Sequence, residues 1–403
     1  MKIGILVGRI PPPVFINHLV FGLEKTGNSI VLYGSSYDKI FKYNKSHIIV
    51  KANPQYKIFI LFKSLLLIFK ILIFNHRNAI CILYQIKRNE TSIRSFLYRC
   101  CKVLPPFLDN LDIFHIQWAK TLVEYPEFIE KLKCSVVLSL RGAHINYSPL
   151  SNFELAEGYR KYFPQVSGFH AVSKAIGIEA EKYGADSQKI SVIFPAVNED
   201  LIKNVDLEKK DAYSNQIKII SVGRCHWKKG YTIALDTMLG LKRKGVNFHY
   251  TIIADGKDEE NINYQIQDLG LNDFVSFVNG LPHEKVIKMI TSSDLFLLPS
   301  VEEGISNAVL EAMALGITVI VTQCGGMTEV IKNGENGFIV PVRDSIALQQ
   351  SILNFIHLKG NNKIKIISNA QNTIRQKFLL NKQINEMIGF YQKSLKNNLD
   401  NQD

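Results

Sequence analysis

Short apolar runs alternate with longer helical stretches along most of the chain, a pattern that predicts parallel α/β architecture. The predicted strands of the first half cover residues 2–7, 29–33, 113–116, 135–140, 168–172 and 190–194. Those of the second half cover residues 217–222, 249–253, 275–277, 295–298 and 318–321. A polar, charge-rich stretch at 198–215 separates the two sets and is interpreted as a linker.

The pattern therefore predicts two doubly wound, Rossmann-like domains, in which ligands bind at the carboxyl ends of the strands. The first domain is assigned to residues 1–197, the linker to 198–215 and the second domain to 216–378. Residues 379–403 contain a long amphipathic helix, predicted at about 381–397.

Residues 57–77 are almost entirely apolar, but Lys63 and Lys70 interrupt the run, so it is too broken for a transmembrane helix. Lys63, Lys70 and Arg77 recur every seven residues and form a narrow basic stripe. One interpretation is an amphipathic helix lying in the plane of an anionic membrane surface. The other is a helix that covers the first domain's sheet and points its lysines to water.

Composition narrows the choice of partner. The 403 residues include 48 Lys+Arg against 36 Asp+Glu, a net charge of +12, which favours an anionic partner such as nucleotide phosphates or a membrane. No zinc-finger, RNP or helix-turn-helix pattern stands out, so we expect no nucleic-acid partner. Six scattered cysteines without Cys-x-x-Cys spacing indicate reduced thiols, and the first apolar run is too short for a signal peptide. These features favour a cytoplasmic protein.

Two carboxylates, Glu303 and Glu311, lie eight residues apart around a Gly-Ile-Ser-Asn turn. Eight residues is a little over two helical turns, so both carboxylates can face one cleft if Glu303 precedes a helix. Ser306 or Asn307 would cap that helix, whose free N–H groups suit a phosphate, while carboxylates accept hydrogen bonds from hydroxyls. A second polar segment follows the strand at 217–222. There Gly223 permits a tight turn, and Arg224 and Lys229 supply two cations.

Residues 300–329 resemble the Glu-x7-Glu signature of family 4 retaining glycosyltransferases, which have the GT-B fold of two domains facing across a cleft. The context supports it: Leu-Phe-Leu-Leu-Pro-Ser precedes the signature, Glu-Ala-Met-Ala overlaps its end and a Gly-Gly pair follows. The segment at 221–230 is similar to the family's Gly-Arg…Lys-Gly element. The resemblance also implies that the final helix returns to the first domain.

The resemblance implies a role for each matching position. Glu303 would contact hydroxyls of the donor hexose, and Glu311 would bind both ribose hydroxyls. Arg224 and Lys229 would hold the donor diphosphate, with Lys228 the less favoured lysine. Backbone groups would complete the donor site, at Gly304, Ile305, Ser306, Gly223, Gly256, Leu281, Gly325 and Gly326. His283 is expected to be a surface or helix-start residue.

The first domain departs from the family's pattern. Its glycine-rich loop is replaced by Gly-Arg-Ile-Pro-Pro-Pro at 8–13, and its His-Gly pair by Arg141 and Gly142. The Arg-Gly form resembles a subgroup of exopolysaccharide and colanic-acid-type pathways. Arg141 thus matches a catalytic-pocket position, and His144 is a possible substitute for the family's histidine. His115 either faces the acceptor or packs at a strand end.

The resemblance as a whole implies a retaining glycosyltransferase that needs no metal or cofactor. It would transfer a hexosyl unit from a nucleotide diphosphate sugar, UDP- or GDP-linked, to a glycan or lipid-linked glycan in bacterial cell-surface polysaccharide biosynthesis. The basic apolar segment places it peripherally at the inner face of the cytoplasmic membrane. Two alternatives remain: a transferase with a soluble acceptor, of sucrose or glycogen type, and a non-catalytic subunit that binds a membrane or a partner.

Overall fold

The computed structural model describes residues 1–36, 47–54, 56–74, 76–203 and 216–399, without the side chains of 36, 76, 77, 203, 398 and 399. The chain forms two compact units, each built on its own parallel sheet. Unit 1 comprises residues 1–193 and 383–403, and unit 2 comprises residues 194–382. The first boundary thus lies at 193/194, four residues before the position chosen from the sequence.

Unit 1 contains a seven-stranded sheet in the order β3-β2-β1-β4-β5-β6-β7, with every neighbouring pair parallel. Its strands are β1 (Lys2–Ile10), β2 (Ser29–Ser36), β3 (Ile48–Asn53), β4 (Ile113–Ile116), β5 (Ser135–Leu140), β6 (Gly168–Ala171) and β7 (Ile190–Val192). The central strands β4, β5 and β6 are buried along their whole length, as expected for a sheet covered on both faces. The strand order reverses between β1 and β4.

Ten helices accompany this sheet within the described ranges. They are α1 (Val14–Lys25), α2 (Lys57–Phe74), α3 (His76–Arg88), α4 (Ile93–Phe107), α5 (Ala119–Glu124), α6 (Glu127–Lys131), α7 (Ala143–Asn146), α8 (Ser148–Ser151), α9 (Phe153–Tyr162) and α10 (Lys174–Glu181). The predicted loop at 8–13 is wrong in part, because residues 8–10 continue β1 and helix α1 begins directly after Pro13.

Unit 2 has a six-stranded sheet in the order β10-β9-β8-β11-β12-β13, also parallel throughout. Its strands are β8 (Ile217–Cys225), β9 (Phe248–Gly256), β10 (Val275–Val278), β11 (Leu295–Leu298), β12 (Thr318–Thr322) and β13 (Phe338–Val340). Its helices are α11 (Asp200–Lys203), α12 (Tyr231–Arg243), α13 (Glu259–Asp268), α14 (His283–Thr291), α15 (Asn307–Ala314), α16 (Met327–Val330), α17 (Ser345–Ile356) and α18 (Gly360–Lys377).

The predicted linker at 198–215 is only partly described, since residues 204–215 lie outside the described ranges. Its first residues form α11, and Ile202 is buried in the apolar core of unit 2. That part of the segment belongs to unit 2 rather than to a free connection.

The long final helix α19 (Leu380–Leu399) packs into unit 1 from Gln383 onward. Two glycines make room for it. A β-carbon on Gly22 would lie 2.4 Å from Ile384 Cδ1, and one on Gly168 would lie 2.2 Å from Ser394 Oγ. Tyr391 is fully buried against β4, where its hydroxyl lies 2.8 Å from His115 Nδ1.

Helix α2 differs from both interpretations of its sequence. Lys63 does not join an outward basic stripe, because its ammonium group donates to the Ala52 carbonyl (2.9 Å) and to Asn53 Oδ1 (3.2 Å) on β3. Burial lowers the pKa of Lys63 from its usual value. Lys70 is exposed, and the side chain of Arg77 lies outside the described residues.

The helix buries only Ser64, Leu67 and Ile71, while four phenylalanines on it are more than half exposed, Phe74 to 78% and Phe62 to 75%. No helix in the described part of the chain is long and apolar enough to cross a membrane. The exposed apolar side of α2 is therefore a surface feature.

The close fit of α19 predicts that Gly168→Ala lowers the free energy of unfolding by about 1–3 kcal/mol, because the added methyl group overpacks the site against Ser394 and Phe390. Gly389→Ala is the control within α19. A β-carbon there meets nothing within 4 Å, so it should stabilise the helix by roughly 0.5–1 kcal/mol. Urea denaturation of both variants measures the difference; equal effects would contradict the packing described.

Candidate functional site

The candidate site lies at the carboxyl edge of the unit 2 sheet. Gly223 and Arg224 are near the end of β8, Gly256 ends β9, and Leu281 follows β10. Residues 303–306 lie between β11 and α15, which carries Glu311, and Gly325 and Gly326 follow β12. Strand order reverses between β8 and β11, and parallel sheets bind ligands at such a switch point. The sheet topology therefore brings residues that are distant in sequence together at one edge of the sheet.

A buried ion pair occupies the centre of this edge. The Lys229 ammonium group donates to Glu303 Oε1, which also accepts a hydrogen bond from Ser300 Oγ at 2.9 Å. The two charged side chains are 11% and 9% exposed. Burial by itself raises the pKa of Glu303, but the charges of Lys229 and Lys228 and the two hydrogen bonds outweigh it, so that pKa is lowered. Glu303 is thus a fixed anion.

Backbone contacts hold the loops of the ion pair together. Gly230, which follows the 3₁₀ turn Trp227–Lys229, has φ +65°, and a β-carbon there would lie 2.0 Å from the Pro299 carbonyl oxygen. Gly325 has φ +49°, and its β-carbon would lie 1.7 Å from the Glu303 carbonyl oxygen. The Gly326 amide donates to the Gly304 carbonyl at 2.8 Å. Only glycine permits these two approaches of the backbone.

Glu311 has a partner that sequence reasoning missed. His283, the first residue of α14, places Nε2 2.8 Å from Glu311 Oε1. The hydrogen bond to Glu311 raises the pKa of His283 above its usual value, against the opposing effect of burial. His283 is therefore a helix-start residue, as expected, and in addition the residue that orients Glu311.

The other residues predicted to bind the donor sugar nucleotide lie at the same edge and differ in how deeply they are buried. Arg224 is exposed at the end of β8, beside Asp255 on β9. Lys228 is 4% exposed, and burial lowers its pKa. Ser306 is the N-cap residue of α15 without a side-chain capping bond, and Ile305 is half-buried beside it. The N–H groups of the first turn of α15 are thus not capped by the Ser306 hydroxyl.

Arg141 lies in unit 1, at the carboxyl end of β5. Its Nη2 donates to Gln117 Oε1 at 3.1 Å, and its guanidinium group lies 4.8 Å from the centre of the Phe15 ring. Nε is buried without a hydrogen-bond partner. Burial lowers the pKa of Arg141 to about 10. His144 follows in α7, where its ring lies 5.6 Å from that of Trp118.

His115 is fully buried in β4, so the packing interpretation is correct and the acceptor-facing one is wrong. Its ring nitrogens lie 2.8 Å from the Tyr391 hydroxyl and 2.8 Å from Ser139 Oγ. Burial and the nearby charges of His170 and Arg141 lower its pKa well below the usual value. His115 is therefore a neutral structural residue.

Comparison with known proteins finds one family and several relatives that the chain resembles. The family model of glycosyl transferases group 1 matches residues 203–373. AmsK of Erwinia amylovora, an amylovoran biosynthesis glycosyltransferase, is 29% identical over 62% of this chain and 61% of its own length. WcaL of Escherichia coli (strain K12), a glycosyltransferase named for colanic acid biosynthesis, is 27% identical over 75% of this chain and 76% of its own.

Residues 203–373 of the chain are thus similar to group 1 glycosyltransferases. The structure of Anabaena Alr3699/HepE in complex with UDP-glucose covers 96% of this chain and 99% of its own, with a TM-score of 0.68 and 20% identity. This likeness confirms the predicted GT-B fold class, with two Rossmann-like units. The matched stretch spans about three fifths of the length of AmsK.

Among the described residues, no group of three or more His, Cys, Asp and Glu side chains is placed to hold a metal ion. The candidate site offers cations at Arg224, Lys228 and Lys229 instead.

The His283–Glu311 contact predicts a pH-dependent stability difference. Because folding raises the pKa of His283, its contribution is complete below the unfolded pKa, about 6.5, and is lost as pH rises through the folded value. His283→Gln should lower the free energy of unfolding by about 0.2–1 kcal/mol at acidic pH, since the pair is partly exposed, and by less at pH 9.

Urea titrations across this range measure the effect. In a Glu311→Gln background the extra acid-side loss should disappear. A wild-type-to-variant difference that does not change between about pH 6 and pH 9 would contradict the pairing.

Proposed function

We propose that the chain is a retaining, metal-independent glycosyltransferase. It transfers a hexosyl unit from a nucleotide diphosphate sugar, UDP- or GDP-linked, to a glycan or lipid-linked glycan acceptor in cell-surface polysaccharide biosynthesis. The observation that carries the proposal is the cluster at the unit 2 edge. There the buried Lys229–Glu303 pair and Glu311 flank the amino end of α15.

Each part of this cluster suits one part of a nucleotide sugar. Fixed cations and free helix N–H groups bind phosphates, so Arg224, Lys229 and the first turn of α15 are assigned to the diphosphate. A carboxylate only accepts hydrogen bonds, and a ribose offers two neighbouring hydroxyl donors, which suits Glu311. Glu303 is assigned to hydroxyls of the transferred hexose. The comparisons favour the same donor class, because HepE has been solved with UDP-glucose bound.

Phosphate binding would change the partners of Lys229. Lys229 now donates to Glu303, and a diphosphate oxygen offers it a second anion. If Lys229 donates to the diphosphate instead of to Glu303, Glu303 Oε1 keeps its hydrogen bond from Ser300 and can accept a second one from a sugar hydroxyl. The ion pair thus holds Lys229 and Glu303 side by side, where each can contact its part of the donor.

In the transfer step, the acceptor hydroxyl oxygen bonds to the anomeric carbon on the face from which the diphosphate oxygen departs. The bond from that carbon to the diphosphate breaks, and the acceptor proton passes to the departing diphosphate. The cations stabilise the negative charge that develops on the leaving group.

Two observations support the proposed acceptor class: the names of two relatives and the exposed apolar side of α2. AmsK and WcaL are named for the biosynthesis of amylovoran and colanic acid. A lipid-linked acceptor would require the enzyme to meet a membrane, and the exposed apolar side of α2 suits insertion at its interface. We therefore propose that the enzyme acts at the inner face of the cytoplasmic membrane.

Donor binding is tested by thermal shift with UDP-, GDP- and ADP-sugars. One nucleotide class should stabilise the wild type, and Glu311→Ala should weaken its binding about 10- to 100-fold, because hydrogen bonds to a charged group contribute roughly 1.5–3 kcal/mol. Glu335→Ala, which removes an exposed carboxylate of the same unit, is the control and should bind as the wild type does. Folded protein that none of the three classes stabilises would refute the proposal.

Membrane contact is tested by flotation with vesicles of phosphatidylcholine alone and with added phosphatidylglycerol. The wild type should float with the anionic vesicles, and the double variant Phe62→Ser/Phe69→Ser should lose this, because those exposed rings would no longer enter the interface. Tyr264→Ser, an equally exposed aromatic position in unit 2, should change nothing. Wild type that stays in the soluble fraction would favour a soluble acceptor.

A further inference from the structure

Arg141 has an incomplete set of partners. One nitrogen donates to Gln117 and one face lies over Phe15, but Nε is buried with no hydrogen-bond partner. In the part of the chain that the structure describes, no carboxylate pairs with this guanidinium group or supports its charge. A half-buried cation without a counter-ion loses hydration that nothing replaces. Such a group is accounted for when a ligand supplies the missing anion.

A chain of hydrogen bonds determines which atom of the Gln117 side-chain amide faces Arg141. The Ile193 carbonyl can only accept, so His170 Nε2, 3.0 Å away, carries a proton and His170 Nδ1 accepts from Ser139 Oγ at 2.9 Å. Ser139 then accepts from His115 Nε2 at 2.8 Å, which leaves His115 Nδ1 as an acceptor.

The same logic continues from His115 to the guanidinium group. His115 Nδ1 accepts from the Tyr391 hydroxyl at 2.8 Å and from Gln117 Nε2 at 3.2 Å, so Gln117 Oε1 faces Arg141. Burial lowers the pKa of both histidines, which keeps them neutral and the directions constant. Gln117 and His115 are fully buried, so the chain is rigidly packed.

The topology places Arg141 where ligands bind. It follows β5, Gln117 follows β4, and Phe15 lies in the first turn of α1, which follows β1. These three strands are neighbours, and the strand order reverses between β1 and β4. Arg141 therefore lies at the switch point of the unit 1 sheet, at the edge that binds ligands in such folds.

We propose that Arg141 binds an anionic group of a substrate, a carboxylate of the donor sugar or a phosphate of a lipid acceptor, and that Gln117 positions the guanidinium group for it. This inference rests on the proposed function, because it takes the anion to belong to one of the two substrates. Carboxylate and phosphate share the chemistry that matters, since each presents two oxygens to the planar donor fork of arginine.

The experiment compares ligands that differ only in the anion, by isothermal titration of the full chain. The donor pairs are UDP-glucuronic acid with UDP-glucose and GDP-mannuronic acid with GDP-mannose; the acceptor pair is farnesyl phosphate with farnesol. Wild type should bind the anionic member of one pair roughly 10- to 100-fold more tightly, and Arg141→Met should reduce this preference to near one.

Two further variants test whether Gln117 positions Arg141 and whether the loss of any arginine in unit 1 has the same effect. Gln117→Glu keeps the size of the side chain but places a carboxylate against Arg141, which should remove the preference although the arginine is still present. Arg160→Met removes an exposed arginine of unit 1 and should keep it. The preference for the anionic ligand should therefore require both the arginine at position 141 and an uncharged side chain at position 117.

The outcomes assign the source of the anion. A preference within a donor pair that Arg141→Met abolishes assigns the site to the donor carboxylate, and one within the farnesyl pair assigns it to the acceptor phosphate. No preference in any pair, or one that survives Arg141→Met, overturns the proposal. UDP or GDP alone should bind Arg141→Met as tightly as wild type. Failure of the wild type to bind either nucleotide would count against the proposed function, while the farnesyl pair still tests Arg141.

Discussion

The buried pair of Lys229 and Glu303 is the interaction on which the site in unit 2 depends. Taking either charge out of water alone would cost several kcal/mol, and breaking such a pair by removing one partner costs about 3–5 kcal/mol. Ser300 supplies a further hydrogen bond to Glu303, and backbone hydrogen bonds from Val301 to Lys228 and from Gly326 to Gly304 join the surrounding loops. The pair holds the loop after β8 to the loop after β11 across the switch point of the sheet. It therefore fixes the position of these two loops relative to each other.

The fold could be predicted from the sequence where strands are buried and mostly apolar. The ranges chosen for β4, β5 and β11 match the structure residue for residue, because such strands appear as mainly apolar runs even where β4 contains His115 and β5 contains Ser135 and Ser139. Strand β3 was missed because it is an edge strand with a lysine among only partly buried residues. Strand β13, a short edge strand that lies between Gly337 and Pro341, was also missed.

One missed strand explains a wrong interpretation elsewhere. The seven-residue recurrence correctly places Lys63 and Lys70 near the same side of α2, but Lys63 reaches the end of β3 and becomes part of the packing. Likewise, the spacing of Glu303 and Glu311 marked the site, whereas the partners of Glu311 and Arg141 lie 28 and 24 residues away in sequence. Such pairings depend on which strands are neighbours, and no local pattern encodes that.

The two units differ in how completely the charged groups at their sheet edges are paired within the protein. In unit 2 the buried carboxylate is matched by a lysine and a hydroxyl, and Glu311 is matched by His283, so the anions of the site are satisfied within the protein. In unit 1 the rigid network around His115 satisfies every member except its last, the guanidinium group of Arg141. A packed, neutral network that ends on one incompletely paired cation gains little stability from that cation. The proposed binding of an anion therefore accounts for this cation better than a structural role does.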